Sequence, residues 1–155
     1  MKAVLLGALG LTGLLAQTEP VNSQSADMNA IKAANSAYYA ALSAGDISAM
    51  DPVWAKDEQT SNIFSAAKQP SFGPSAIKAD YTGLFAKRQG EVSVVMTNPS
   101  VRQQGDQALV VGIEAGRAKS PNGDLAEFFP VATNVFVKRG VQWLMVHHHT
   151  SRPPQ

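Results

Sequence analysis

The sequence predicts a single α+β domain, a mainly antiparallel sheet with helices on one face. Three observations predict it. Apolar residues at helical spacing fall in the first half of the chain. Nearly everything after Gly90 has the alternation of strands. Those strands are joined by short turns, so successive ones run antiparallel. A length of 155 residues suits one domain, and 45% hydrophobic residues suffice for a core.

Met1-Lys2 is followed by an apolar run, Ala3 to Ala16, of about 14 residues, the length of a signal-peptide core. A membrane-crossing helix needs roughly 20, and polar residues begin at Gln17. The competing reading is an uncleaved membrane anchor. Small residues suited to cleavage occur at Ala16, Ser23, Ser25 and Ala26, and Val21-Asn22-Ser23 fits best. The expectation is a signal peptide and short irregular lead over 1–25, a domain over 26–152 and a tail over 153–155. Export would place the protein in a periplasm or outside the cell.

Within the domain, Asp27 is the expected N-cap of a first helix. Ile31, Ala34, Tyr38, Ala41 and Leu42 form its stripe, and Gly45 ends it. Asp46 caps a second helix over 47–55, bent or shortened by Pro52. A short strand over 59–65 holds Ile63 and Phe64, and a loop with Pro70, Gly73 and Pro74 follows. Ile77, Tyr81, Leu84 and Phe85 mark a third helix over 75–87. Four strands are then expected. The first covers 91–103 and is broken at Asn98-Pro99. The others cover 108–119, 126–138 and 141–151. Pro121-Asn122-Gly123-Asp124 is a hairpin signal between the second and third.

Composition excludes several functions. The net charge is +1 and charged residues are 16%, without the basic stripe of a nucleic-acid binder. There is no cysteine, so disulfides, thiolate metal sites and a cysteine nucleophile are excluded. No phosphate loop, dinucleotide fingerprint, nucleophile elbow or zinc motif is present. No cofactor is therefore expected, and no membrane association once a signal peptide is removed.

Three stretches carry a family resemblance. The first is Tyr38-Tyr39-Ala40-Ala41-Leu42-Ser43-Ala44-Gly45-Asp46, leading through Met50 to Trp54-Ala55-Lys56-Asp57-Glu58. The second is Gly73-Pro74-Ser75-Ala76-Ile77. The third is Ala132-Thr133-Asn134-Val135-Phe136-Val137 with Trp143-Leu144-Met145-Val146-His147-His148-His149-Thr150-Ser151. In this order and spacing, over residues 28 to 151, the chain resembles the nuclear transport factor 2-like superfamily (a cystatin-like architecture) in its SnoaL-like branch. The resemblance implies a cone, in which a strongly curved sheet wraps three helices around a pocket. It also implies a homodimer formed through the sheet. Some relatives are isomerases, cyclases or dehydratases and others bind a ligand or serve assembly, so the fold leaves the function open. Ser65-Ala66-Ala67-Lys68-Gln69-Pro70 departs from the His-Pro-Gly-like turn of many relatives.

The candidate residues follow from these placements. Strict alternation along the last strand puts His147 and His149 on one face with Trp143 and Met145, and His148 on the other. The resemblance turns the first pair toward the cone interior. Three readings stand for that pair. They are structural hydrogen-bonding groups, ligand-contacting or acid/base groups titrating near neutral pH, or metal ligands. The last needs a third ligand, which Asp57 or Glu58 could supply only if the first strand runs close by, so no metal is expected. Asp57 is a further candidate acid or base at an element boundary. No second inward carboxylate is legible, which disfavours a paired-acid mechanism. Tyr39, Trp54, Phe64, Tyr81, Phe85 and Asn134 are expected to line a pocket for a small, partly apolar molecule. Plain core packing is the competing reading for each aromatic.

Overall fold

The computed structural model describes residues 21–152. The signal-like run, most of the lead and the tail lie outside the described residues. Helix α1 covers Val21–Ala44, α2 covers Ile47–Met50 and α3 covers Gly73–Ala86. The strands are β1 Ser61–Ile63, β2 Ser71–Phe72, β3 Glu91–Gln104, β4 Gln107–Lys119, β5 Leu125–Phe128, β6 Val131–Arg139 and β7 Gln142–Ser151. The sheet order is β2-β1-β7-β6-β4-β3, with β5 also paired to β4. Every pairing is antiparallel except β1 with β7. The curved, mostly antiparallel sheet and three helices form the expected cone.

Helix α1 forms because Ile31, Asn35, Tyr38 and Leu42 return to one side at helical spacing and are all buried. It begins at Val21, inside the segment expected to be irregular. Asp27 is therefore a residue within the helix rather than its cap. Its carboxylate is 2.7 Å from the Lys138 ammonium and accepts from Trp143 Nε1 at 3.3 Å, so it ties α1 to β6 and β7. Gly45, at φ +67, closes the helix in a conformation that costs a side-chain-bearing residue energy. The Arg88 guanidinium donates to the carbonyls of Leu42 and Ser43 in the last turn, at 2.6 and 2.7 Å. Asp46 caps α2 as expected, accepting from the backbone of Ser48 and Ala49. Pro52 confines α2 to four residues and a single 3-10 turn follows.

Three strand expectations are corrected. The loop before α3 contains β2, which pairs with β1. The break expected at Asn98-Pro99 is a bulge and not a gap in β3. Asn98 takes φ +49 and the register shifts between Thr97 and Ser100, so the strand passes through a bulge and continues. The strand expected over 126–138 is two strands, because Pro130 interrupts pairing between β5 and β6. The core lies between the helices and the concave sheet face, and includes Ile31, Tyr38, Met50, Trp54, Ile77, Tyr81, Val110, Phe136, Trp143 and Met145.

Candidate functional site

The histidine strand is the first local feature. On β7, Met145 pairs with Phe136 and His147 pairs with Val135, leaving Val146 as an extra residue. This bulge shifts the alternation by one. Trp143 and Met145 point inward before it, and His148 and Thr150 point inward after it. The expected orientation is thus reversed. His148 is the interior histidine, 1% exposed, whereas His147 is half-buried and His149 is exposed on the outer face.

Around His148 the cone holds a polar cluster assembled from four elements. Asn35, Tyr38 and Tyr39 come from α1, Asn62 from β1, Glu114 from β4 and Asn134 from β6. The Asn134 amide nitrogen donates to Asn35 Oδ1 at 2.7 Å and to Tyr39 Oη at 3.3 Å. Its carbonyl oxygen therefore faces His148 Nδ1 at 2.7 Å, so that nitrogen carries the proton and Nε2 keeps a lone pair. Tyr39 donates to Glu114 Oε1 at 3.0 Å. His148 Nε2 lies 3.9 Å from the same oxygen, beyond hydrogen-bond distance. A second chain runs from Tyr38 to Tyr81, whose hydroxyls are 3.0 Å apart, and on to Asn62 and Asp80.

Burial sets the charges. Desolvation raises the Glu114 carboxyl to about 7 against the hydrogen bond from Tyr39, which lowers it. Desolvation, followed by the neighbouring His147 and His149, lowers His148 to about 3. The pair is consequently a carboxyl titrating near neutrality beside an uncharged imidazole, not an ion pair. Burial also raises Tyr38, Tyr39 and Tyr81 well above the usual phenol range, so all three stay protonated and donate. With a value near 7 Glu114 can give or take a proton through the Tyr39 hydroxyl, whereas His148 Nε2, held near 3, is too weak a base to receive it.

An open cleft of about 410 Å³ lies between α1 and β3. Val94, Met96, Pro99, Val101 and Val110 wall one side, and Asn35, Ser36 and Tyr39 offer polar groups. Tyr39 thus belongs to both the cleft and the Glu114 cluster.

The expected site residues separate. Tyr39 lines the cleft and Asn134 is buried within the cluster. Trp54, Phe64, Tyr81 and Phe85 do not border the cleft. They pack together edge-on or tilted, with the Tyr81 ring centroid 6.1, 5.2 and 5.9 Å from those of Trp54, Phe64 and Phe85 respectively. Asp57 is half-exposed and pairs with Arg139 at 3.1 Å, away from the interior. An inward carboxylate does exist, but it is Glu114. In the sequence it sits at alternating positions with Val110 and Gly116 on a strand, the one signal that it faces inward.

The family comparison agrees with this architecture. A SnoaL-like domain model matches residues 31–155. The chain belongs to the SnoaL-like domain family. No curated protein matches it. Among solved structures it is similar to a candidate dehydratase of the NTF2-like family from Streptomyces avermitilis, at 24% identity and TM-score 0.78, covering 84% of this chain and 99% of that one. It is also similar to an NTF2-like superfamily protein from Salmonella enterica serovar Typhimurium, at 19% identity and TM-score 0.75, covering 85% and 94%. A candidate calcium/calmodulin-dependent protein kinase II association domain from Thiobacillus denitrificans matches at 27% identity and TM-score 0.67, covering 79% and 94%. Names as different as dehydratase and association domain on one SnoaL-like architecture leave the chemistry to the site itself.

Proposed function

We propose that this SnoaL-like protein binds a small, partly apolar molecule in the cleft between α1 and β3. The observation that carries this reading is the cleft itself, in which Val94, Met96, Pro99, Val101 and Val110 lie across from Asn35, Ser36 and Tyr39 of α1. Its size suits a ligand of one or two rings. Ala40 borders the cleft from an exposed position on α1, so Ala40→Phe fills space without entering the core. Titration with the fluorescent apolar probe anilinonaphthalene sulfonate is expected to show saturable binding to the native protein and at least tenfold weaker binding to the Ala40→Phe protein at equal thermal stability. Equal binding by both proteins would remove the cleft from the proposal.

A second reading, proton transfer in an isomerase or lyase reaction, is favoured by Glu114. Its carboxyl is poised near 7 and touches a tyrosine that lines the cleft. In this reading Glu114 exchanges a proton with the bound molecule through the Tyr39 hydroxyl, which it accepts from and which belongs to a residue lining the cleft, and His148 with Asn134 holds the cluster in place. His147, His149 and Asp57 take no part. Incubation with cyclic ketones in deuterated water tests it. Deuterium incorporation next to the carbonyl that persists in Glu114→Gln would sink this role.

The same proposal includes export, supported by the apolar run after Lys2, and a homodimer through the sheet. Exposed Val95, Ile113 and Val131 on its outer side support the dimer.

A further inference from the structure

The outer face of β7 carries a pair of histidines that the cleft and its polar cluster do not use. We propose that His147 and His149 form a two-point chelate for a borderline divalent transition metal such as Zn2+, Ni2+ or Cu2+, independently of any ligand in the cleft. The two side chains leave the same face of one strand two residues apart, and their ring centroids are 6.4 Å apart. With metal–nitrogen bonds near 2.1 Å, two imidazoles sharing one ion place their centroids roughly 5 to 6 Å apart. Rotation of the exposed His149 side chain closes the difference.

The first of the two is already oriented. His147 Nδ1 lies 2.8 Å from Ser61 Oγ on the neighbouring strand β1, where Ser61 pairs directly with His147. When Nδ1–H donates to the serine oxygen, Nε2 is left with its lone pair directed away from β1. This is the arrangement that fixes tautomer and ring angle in histidine metal sites. Imidazole nitrogen suits zinc, nickel and copper, whereas calcium and magnesium prefer oxygen.

Among the described residues no group of three or more His, Cys, Asp or Glu side chains can hold a metal. The chelate therefore supplies two protein ligands, and water takes the other positions. That limits the affinity to the micromolar range and makes the order Cu2+ over Ni2+ and Zn2+. It also separates this pair from His148, which is buried, bonded to Asn134 and inaccessible to an ion from solvent.

The test is isothermal titration of the untagged protein with zinc chloride and copper chloride, together with imidazole-detected NMR. Saturable binding is expected, with Cu2+ at least tenfold tighter than Zn2+. The His147 and His149 resonances should shift and those of His148 should stay in place. His149→Asn and His147→Asn are each expected to weaken binding by tenfold or more without changing the melting temperature by more than a few degrees. Ser61→Ala is expected to weaken it several-fold through lost orientation of His147. The proposal is overturned by either of two results. One is the absence of saturable Cu2+ binding below millimolar concentration. The other is binding that survives intact in the double variant of His147 and His149.

Discussion

Glu114 and His148 show how a few ångströms of burial convert ordinary side chains into a poised site. Glu114 holds its proton more tightly in the folded protein than in the unfolded chain, where its value is 4.5, because burial lifts it to about 7. Its contribution to stability is complete below about 4.5 and is lost as pH rises through 7. His148 has the opposite sign. Its folded value, about 3, lies below the unfolded 6.5, so its contribution is present above 6.5 and lost as pH falls toward 3. Replacing Glu114 by Gln keeps an acceptor for Tyr39 and removes the first dependence. The variant should therefore be more stable than the native protein at pH 8, by up to about 3 kcal/mol, with the advantage gone near pH 4.5. Urea denaturation at the two pH values measures this. An equal difference at both would mean that Glu114 titrates normally.

At the scale of elements, the bulge in β7 decides which histidine enters the core. Below Val146 the strand presents Trp143 and Met145 inward, and above it His148 and Thr150. Deleting Val146 would remove the extra residue and give a regular strand in which Met145, His148 and Thr150 still face inward, because the residues on either side keep their β6 partners. Asn134 would keep its His148 partner, and the Ser65 amide would keep Thr150, which accepts from it at 2.9 Å. The expected cost is therefore only about 1 kcal/mol, read as a small fall in the denaturation midpoint. A cost above about 3 kcal/mol would mean that the upper half of the strand has changed face and lost these bonds. The bulge in β3 is of the same kind, and it brings Pro99 to the cleft wall. Close approach also matters on β4. A Cβ on Gly116 would lie 2.0 Å from the Phe128 ring, so glycine is what lets that ring lie across β4 from its paired position on β5.

For the whole molecule, the concave and convex faces of one sheet carry different chemistry. The concave face and helices enclose the polar cluster, and the cleft opens beside it. The convex face carries Val95, Ile113 and Val131, each between 43% and 51% exposed, along with the outer histidines. If this face joins two copies, Ile113→Lys places a charge in the contact. Light scattering should then show the native protein as a dimer at tens of micromolar and the variant as a monomer, both folded. A native protein that stays monomeric at that concentration would end the dimer proposal.

The sequence by itself determined the class of fold. Helical spacing from Ile31 to Leu42, the Gly45-Asp46 junction and the Asn122-Gly123 turn are local signals. Local chemistry read them correctly because each depends on residues within a turn or two of chain. It also marked Tyr39 and Asn134 as residues of interest. Tertiary structure decided the site. A bulge arises from pairing between strands and leaves no mark on the alternation of one strand, so His148 could not be told from its neighbours. Glu114 became significant only because α1, β6 and β7 removed water from around it, and that desolvation is a property of packing and not of any segment.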